Sequence, residues 1–168
     1  MRMLKSALVV MLGVLSPHAL ASAELPRPTG PVVLTVDGNI SRRNGEGVAR
    51  FDLAMLDALA QRTTVTETPW YDGAQSFSGV VVSALLEAVG AEGTTITVRA
   101  LNDYSADIPV DDFKANPVIL AARLNGEVLS VREKGPLFVI YPFELDPSLY
   151  NEVYFGRSVW QVTAMSVN

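Results

Sequence analysis

Residues 118–131 read Val118-Ile-Leu-Ala-Ala-Arg-Leu124, then Asn125-Gly126, then Glu127-Val-Leu-Ser-Val131. Two strand-compatible runs separated by Asn-Gly form a β-hairpin signal, because both central residues of a type I′ turn need positive φ. Working outward, Leu137–Tyr141 and Ser158–Val167 read as further strands, and upstream Thr94–Leu101 alternates as one. Val81, Leu85, Leu86 and Val89 recur at helical spacing within Val80–Val89, and Gly90 is a suitable C-cap. Thr63–Thr68 is a Thr/Val strand ended by Pro69, and Trp70-Tyr71-Asp72-Gly73 opens a loop. Asp52 is placed to cap a short helix over Leu53–Leu59, and Asp111–Lys114 forms one helical turn before Pro117. Near the start, Pro31–Val36 is a strand, Asp37-Gly38-Asn39 a hairpin-type turn and 41–47 a mobile loop. Seven or so short strands and two or three short helices, with no βαβ alternation, predict one α+β domain, predominantly β.

The chain has 168 residues, enough for one domain; 49% are hydrophobic and 18% charged, which excludes disorder. The net charge is −5, so the basic face that nucleic acid requires is not expected. There is no Cys, and His18 is the one His.

The N-terminus reads as a secretory signal. Arg2 and Lys5 precede an apolar run from Ser6 to Leu15, Pro17 breaks it, and Ala21-Ser22-Ala23 supplies a small-x-small cleavage pattern. The apolar run is far short of the roughly 20 residues that span a bilayer. We therefore expect a signal over 1–23, an extended Pro-rich leader over 24–31 and a domain over 32–168, with a periplasmic location and no membrane insertion after processing. Cleavage at that point also removes His18, leaving neither Cys nor His. Ser-His-Asp and Cys-His catalysis are then excluded, and zinc, copper, haem and iron–sulfur sites lose their usual ligands. Carboxylate, amine, guanidinium and phenol chemistry remain, or plain binding.

Several segments, in order, resemble the oxidoreductase molybdopterin-binding domain, the sulfite-oxidase fold. Phe77-Ser78-Gly79-Val80 with Leu85-Leu86 and Gly90 is similar to its W-x-G-V…LL…G element. Tyr104…Ile108-Pro109 resembles its Y…IP element, and Leu120-Ala121…Leu124-Asn125-Gly126-Glu127 its LA…NGE hairpin. Gly135-Pro136-Leu137…Tyr141-Pro142 and Val159-Trp160 resemble its G-x-P-L…P and K-W elements. The likeness runs from about residue 63 to the end, with a weaker fit back to 31. In that family's catalytic members a cysteine thiolate before the W-x-G-V element holds molybdenum. The corresponding stretch here, Thr64-Val65-Thr66-Glu67-Thr68, has none, and a hydroxyl does not replace a soft sulfur ligand. The n-region also lacks the adjacent arginine pair of twin-arginine export, since Arg42-Arg43 lies beyond the cleavage point. General secretion would export an unfolded chain without cofactor. Both departures point to a metal-free pterin rather than a molybdenum cofactor.

A pterin is a flat heteroaromatic ring with a donor-rich edge, so it needs an aromatic platform and facing acceptors. The candidates are Trp70, Asn102, Asp103, Tyr104 and Asp107, with Lys134 and Arg157 for a polar or phosphorylated tail. Each has a plainer role open to it: Trp70 as core packing, Asn102-Asp103 as turn capping, Lys134 as a solvated turn, Arg157 as cover for apolar surface. No catalytic or metal residues are assigned. By resemblance, small secreted cysteine-less members of this fold are linked to pterin-dependent control of membrane-bound cyclic-di-GMP enzymes. That implies docking onto the periplasmic domain of an inner-membrane signalling protein. The competing expectation is a molybdopterin-dependent oxidoreductase.

Overall fold

The computed structural model describes residues 25–168, so the signal reading of 1–23 lies outside the described residues. The chain opens with β1 (Val32–Gly38), β2 (Ala49–Asp52), α1 (Leu53–Asp57), β3 (Gln61–Thr68) and β4 (Tyr71–Val81). Then come α2 (Val82–Val89), β5 (Thr95–Ala100), β6 (Ser105–Pro109), α3 (Val110–Ala115) and β7 (Ile119–Leu124). It ends with β8 (Glu127–Val128), β9 (Phe138–Ile140), α4 (Glu152–Arg157) and β10 (Val162–Val167). The α+β, predominantly β expectation holds.

The hairpin that decided the reading is present. Asn125 and Gly126 have φ of 51° and 89°, and Arg123 pairs with Val128 and Leu124 with Glu127 across the turn. β7 then pairs with β4 on its other edge and with β9 beyond β8, building one sheet in the order β3-β4-β7-β8 with β9 beside β7. The second sheet runs β2-β1-β10-β5-β6, with β10 parallel to β1 and antiparallel to β5.

Within this sheet β7 and β9 are buried on both faces, which is why they read as apolar runs. Leu120, Ala122 and Val139 join the main core between the sheets, with Leu34, Val36, Phe51, Ile96 and Val98 from the other layer. Their neighbours Ile119, Ala121, Phe138 and Ile140 point the opposite way, into a second cluster with Phe77 and the part-buried Trp70. Each fully buried side chain of this size contributes about 1.5–3 kcal/mol. Gly79, from the Phe-Ser-Gly-Val motif, sits where β4 is irregular and crosses β7; a Cβ there would run into the Leu120 carbonyl oxygen.

The caps follow the sequence. Asp52 Oδ1 accepts from Met55 N (2.9 Å) and Oδ2 from Thr29 N and Gly30 N (2.8 Å each). The backbone N–H groups of Gly30 and Met55 hold this carboxyl below the usual carboxylate range. Gly90 ends α2 in the left-handed region, at φ 60°.

Several expectations are corrected. Trp70–Gly73 does not open a loop: Trp70 lies in a tight turn and Tyr71 begins β4, whose polar first half is a strand because β3 pairs along it. Asp37-Gly38-Asn39 closes no tight hairpin, since β2 starts only at Ala49 and Asn39 N instead donates to Val167 O (3.0 Å). The 41–47 segment is pinned rather than free, with Arg42 Nη1 donating to the Glu87 carbonyl (2.9 Å) and Asn44 Nδ2 to the Pro26 and Arg50 carbonyls. α4 was not foreseen, and it forms one wall of the site.

Candidate functional site

Three connections meet at one end of the two sheets: the β3–β4 turn, the β5–β6 turn and the stretch from α4 into β10. The first brings Trp70, whose ring meets Phe138, Trp160 and Phe155 edge-on at centroid distances of 5.3, 5.7 and 6.0 Å. Trp160 is fixed by a bridge to Phe138, and its own ring meets Phe138 at 6.1 Å. Edge-to-face contacts of this kind hold ring orientation as well as burying area. Trp70 is half-buried and Trp160 is 37% exposed, so each keeps surface open to a cavity of about 360 Å³. That size lies within the range of roughly 300–1,000 Å³ for small-molecule sites.

The aromatic wall is Trp70, Trp160 and Phe155; Ala100 and Val159, both buried, also line the cavity. The polar lining comes from Asn102 and Tyr104 on the β5–β6 turn and from Glu152 in the first turn of α4. Tyr104 Oη donates to the Gly156 carbonyl (2.9 Å), tying the two walls together. Asn102 Oδ1 accepts from Tyr104 N (3.2 Å), which shapes the turn and leaves its amide N–H groups for another partner. Glu152 has no ion-pair or side-chain hydrogen-bond partner among the described residues.

Of the seven candidates from sequence, the structure brings Trp70, Asn102 and Tyr104 together in this lining. Asp103 is exposed beside them at φ 65°, outside the lining. Asp107 lies on β6, where its Oδ1 accepts from Thr97 Oγ1 (2.6 Å) across the strand pair. Lys134 stands outside the lining, with Nζ 4.9 Å from the Tyr71 ring centre and 5.7 Å from that of Trp160. Arg157 is engaged elsewhere: its Nη1 donates to Asp112 Oδ2 (2.9 Å), the same oxygen that accepts from Tyr141 Oη (2.7 Å). Sequence reasoning missed Glu152 and Phe155 and used Trp160 only as a motif residue. Asn151 followed by Glu152 was an available N-cap signal; Asn151 Oδ1 does accept from Val153 N (2.9 Å).

Two phenols near this end are perturbed. Burial raises Tyr71, and the Glu133 charge adds to the rise. Burial and then the hydrogen bond to Asp112 push Tyr141 far above the ordinary tyrosine value, so it stays neutral.

Two sheets of this topology, with an aromatic-walled pocket at one end, are the architecture of a sulfite-oxidase-type domain. The sequence model of the family described as "oxidoreductase molybdopterin binding domain" matches residues 46–145, and the chain belongs to that family. Among solved structures, the sulfane dehydrogenase SoxCD from Paracoccus pantotrophus is similar in fold, with a TM-score of 0.58 at 16% identity. The match covers 80% of this chain and 37% of that one, so this chain spans little more than a third of that protein's length. No curated protein matches.

The family implies a pterin-type cofactor, and its catalytic members add molybdenum on a thiolate. The donor set here does not fit the metal. β3 presents Thr64, Thr66 and Thr68 as its buried side chains where the thiolate is called for, and Thr68 Oγ1 has no hydrogen-bond partner. Among the described residues no three His, Cys, Asp or Glu side chains converge. Among the described residues no lysine or arginine lines the cavity to hold a phosphorylated tail. A flat ring with hydrogen-bonding edges does fit a lining of tryptophan ring surface, an amide and a carboxylate.

Proposed function

We propose that this chain is a periplasmic pterin-binding sensor module that works without bound molybdenum. The observation that carries the proposal is the pocket itself: Trp70 and Trp160 offer ring surface, while Glu152 and Asn102 offer an acceptor and a donor, with no thiolate and no cation in the lining. In the pterin-bound form the module docks on the periplasmic domain of an inner-membrane cyclic-di-GMP enzyme. That step rests on the resemblance to secreted cysteine-less members of the fold. The competing reading, a molybdopterin-dependent oxidoreductase, has family membership in its favour and requires a metal ligand other than thiolate.

One experiment separates the readings. The protein is purified from the periplasm and denatured, and released pterin fluorescence is measured alongside molybdenum by elemental analysis. Pterin without metal supports the proposal, both together support the oxidoreductase, and neither leaves an interaction domain with an unused pocket. Trp70→Ala should weaken pterin binding by about 1–3 kcal/mol, the worth of one aromatic platform. Because Trp70 also packs on Phe138, Trp70→Phe serves as the folded comparison. For the signalling step, cells lacking the chain should show altered cyclic di-GMP, restored by the wild type and not by the Trp70 variant.

A further inference from the structure

Resting on the pterin reading above, we propose that this pocket selects among pterins by charge. It takes a pterin whose side chain is uncharged, receives the amino edge of the ring on the Glu152 carboxylate, and rejects analogues whose side chain carries a carboxylate or phosphate.

Arg157 is the cation on α4; it is not in the cavity lining, and its guanidinium donates to Asp112 Oδ2, which also accepts from Tyr141 Oη. Its guanidinium also lies 5.4 Å from the Tyr154 ring, which holds it further in place. Lys134 is held over the rings of Tyr71 and Trp160 and is not in the lining. Arg99 precedes Ala100 on β5, so alternation turns it to the opposite face from a residue that lines the pocket. The one charged side chain in the lining is therefore Glu152. An anionic tail brought into this cavity meets a carboxylate with no counter-charge, in a chain whose net charge is already −5.

The same carboxylate suits the other end of the ligand. A 2-amino-4-oxo ring presents two adjacent N–H donors, which a carboxylate accepts as a pair, and such charge-assisted bonds are about twice as strong as neutral ones. Beside those donors the ring carries a carbonyl. Asn102 retains free amide N–H groups for it, because its oxygen is already used by Tyr104 N. One acidic group thus binds the ring, while the same lining offers an anionic tail no cation to pair with. Selection by an unfavourable element is a recognised route to specificity.

The test uses the purified chain with two fluorescent probes, 6-hydroxymethylpterin, which is neutral, and pterin-6-carboxylate, which is an anion at neutral pH. Wild type should bind the neutral probe at least about tenfold more tightly, and Glu152→Gln should weaken that probe about tenfold and narrow the ratio. Glu152→Lys should reverse the preference, a gain that a misfolded variant cannot imitate. Equal binding of both probes, or a ratio unmoved by Glu152→Gln and Glu152→Lys, overturns the charge rule while leaving the pterin reading intact. Failure of both probes to bind wild type overturns the pterin reading itself.

Discussion

The shared oxygen of Asp112 gives the sharpest test of how the site is supported. Asp112 Oδ2 accepts from Tyr141 Oη at 2.7 Å and from Arg157 Nη1 at 2.9 Å, joining α3, the residue after β9 and the end of α4. Tyr141 is fully buried, so in Asp112→Ala its hydroxyl loses its partner and has no water to replace it. That desolvated donor alone costs about 1–3 kcal/mol. Removing one member of a fully buried ion pair costs about 3–5 kcal/mol. Here the Arg157 and Asp112 side chains are 24% and 13% exposed, so the freed guanidinium can turn to water and the charge part falls well below that range. The expected loss is about 2–4 kcal/mol in all. Tyr141→Phe removes the hydroxyl without stranding it and should cost about 1–2 kcal/mol. The assay is urea unfolding of the two single variants and the double variant, followed by far-ultraviolet circular dichroism. Because both variants break the same bond, the double should cost less than the sum by about 1 kcal/mol or more. Strict additivity, or an Asp112→Ala loss under about 1 kcal/mol, would refute the reasoning.

Three further outcomes follow from the packing. Thr68→Val removes a buried hydroxyl with no partner and should raise stability by about 1 kcal/mol in the same urea assay; a loss would mean that something does bond to that oxygen. Gly79→Ala forces a methyl onto the Leu120 carbonyl and should cost about 1–3 kcal/mol or abolish folding, whereas unchanged stability would contradict the β4–β7 crossing. Tyr141 has a folded pKa raised above the unfolded value of 10.0, so its contribution is complete below pH 10 and is lost as pH climbs beyond it. Stability should then fall by up to about 1.4 kcal/mol per pH unit above pH 10 on its account, and Tyr141→Phe should flatten that slope.

How much was legible in the sequence depended on whether the signal was local. Asn125-Gly126, the Asp52 cap and the Leu85-Leu86…Gly90 helix end carry their conformations in a few adjacent residues, and each was read correctly. β4 was read as a loop through Trp70–Gly73 because Asp72, Gly73 and Ser76 are poor strand formers; pairing with β3 overrides that preference. α4 has no buried residue and contains Gly156, so neither hydrophobic period nor propensity announces it. Its position is set by contacts of Phe155 with Trp70, Phe143 and Tyr150. The candidate site divides the same way. Trp70, Asn102 and Tyr104 sit at strand ends that the sequence located, and they meet. Arg157 reads as a candidate for a phosphorylated tail because its actual partner, Asp112, lies 45 positions earlier and nothing local links them.

The central place of β10 in its sheet bears on how the chain acquires its shape. β10 inserts between β1 and β5, parallel to the first strand and antiparallel to the fifth. A chain that stops short of Val162 holds two separate ribbons, β2-β1 and β5-β6, each with an open row of N–H and C=O groups facing the gap. Such a fragment leaves those edges open to pairing with strands of other chains. Pairing of this six-residue strand is thus what joins the two ribbons into one sheet.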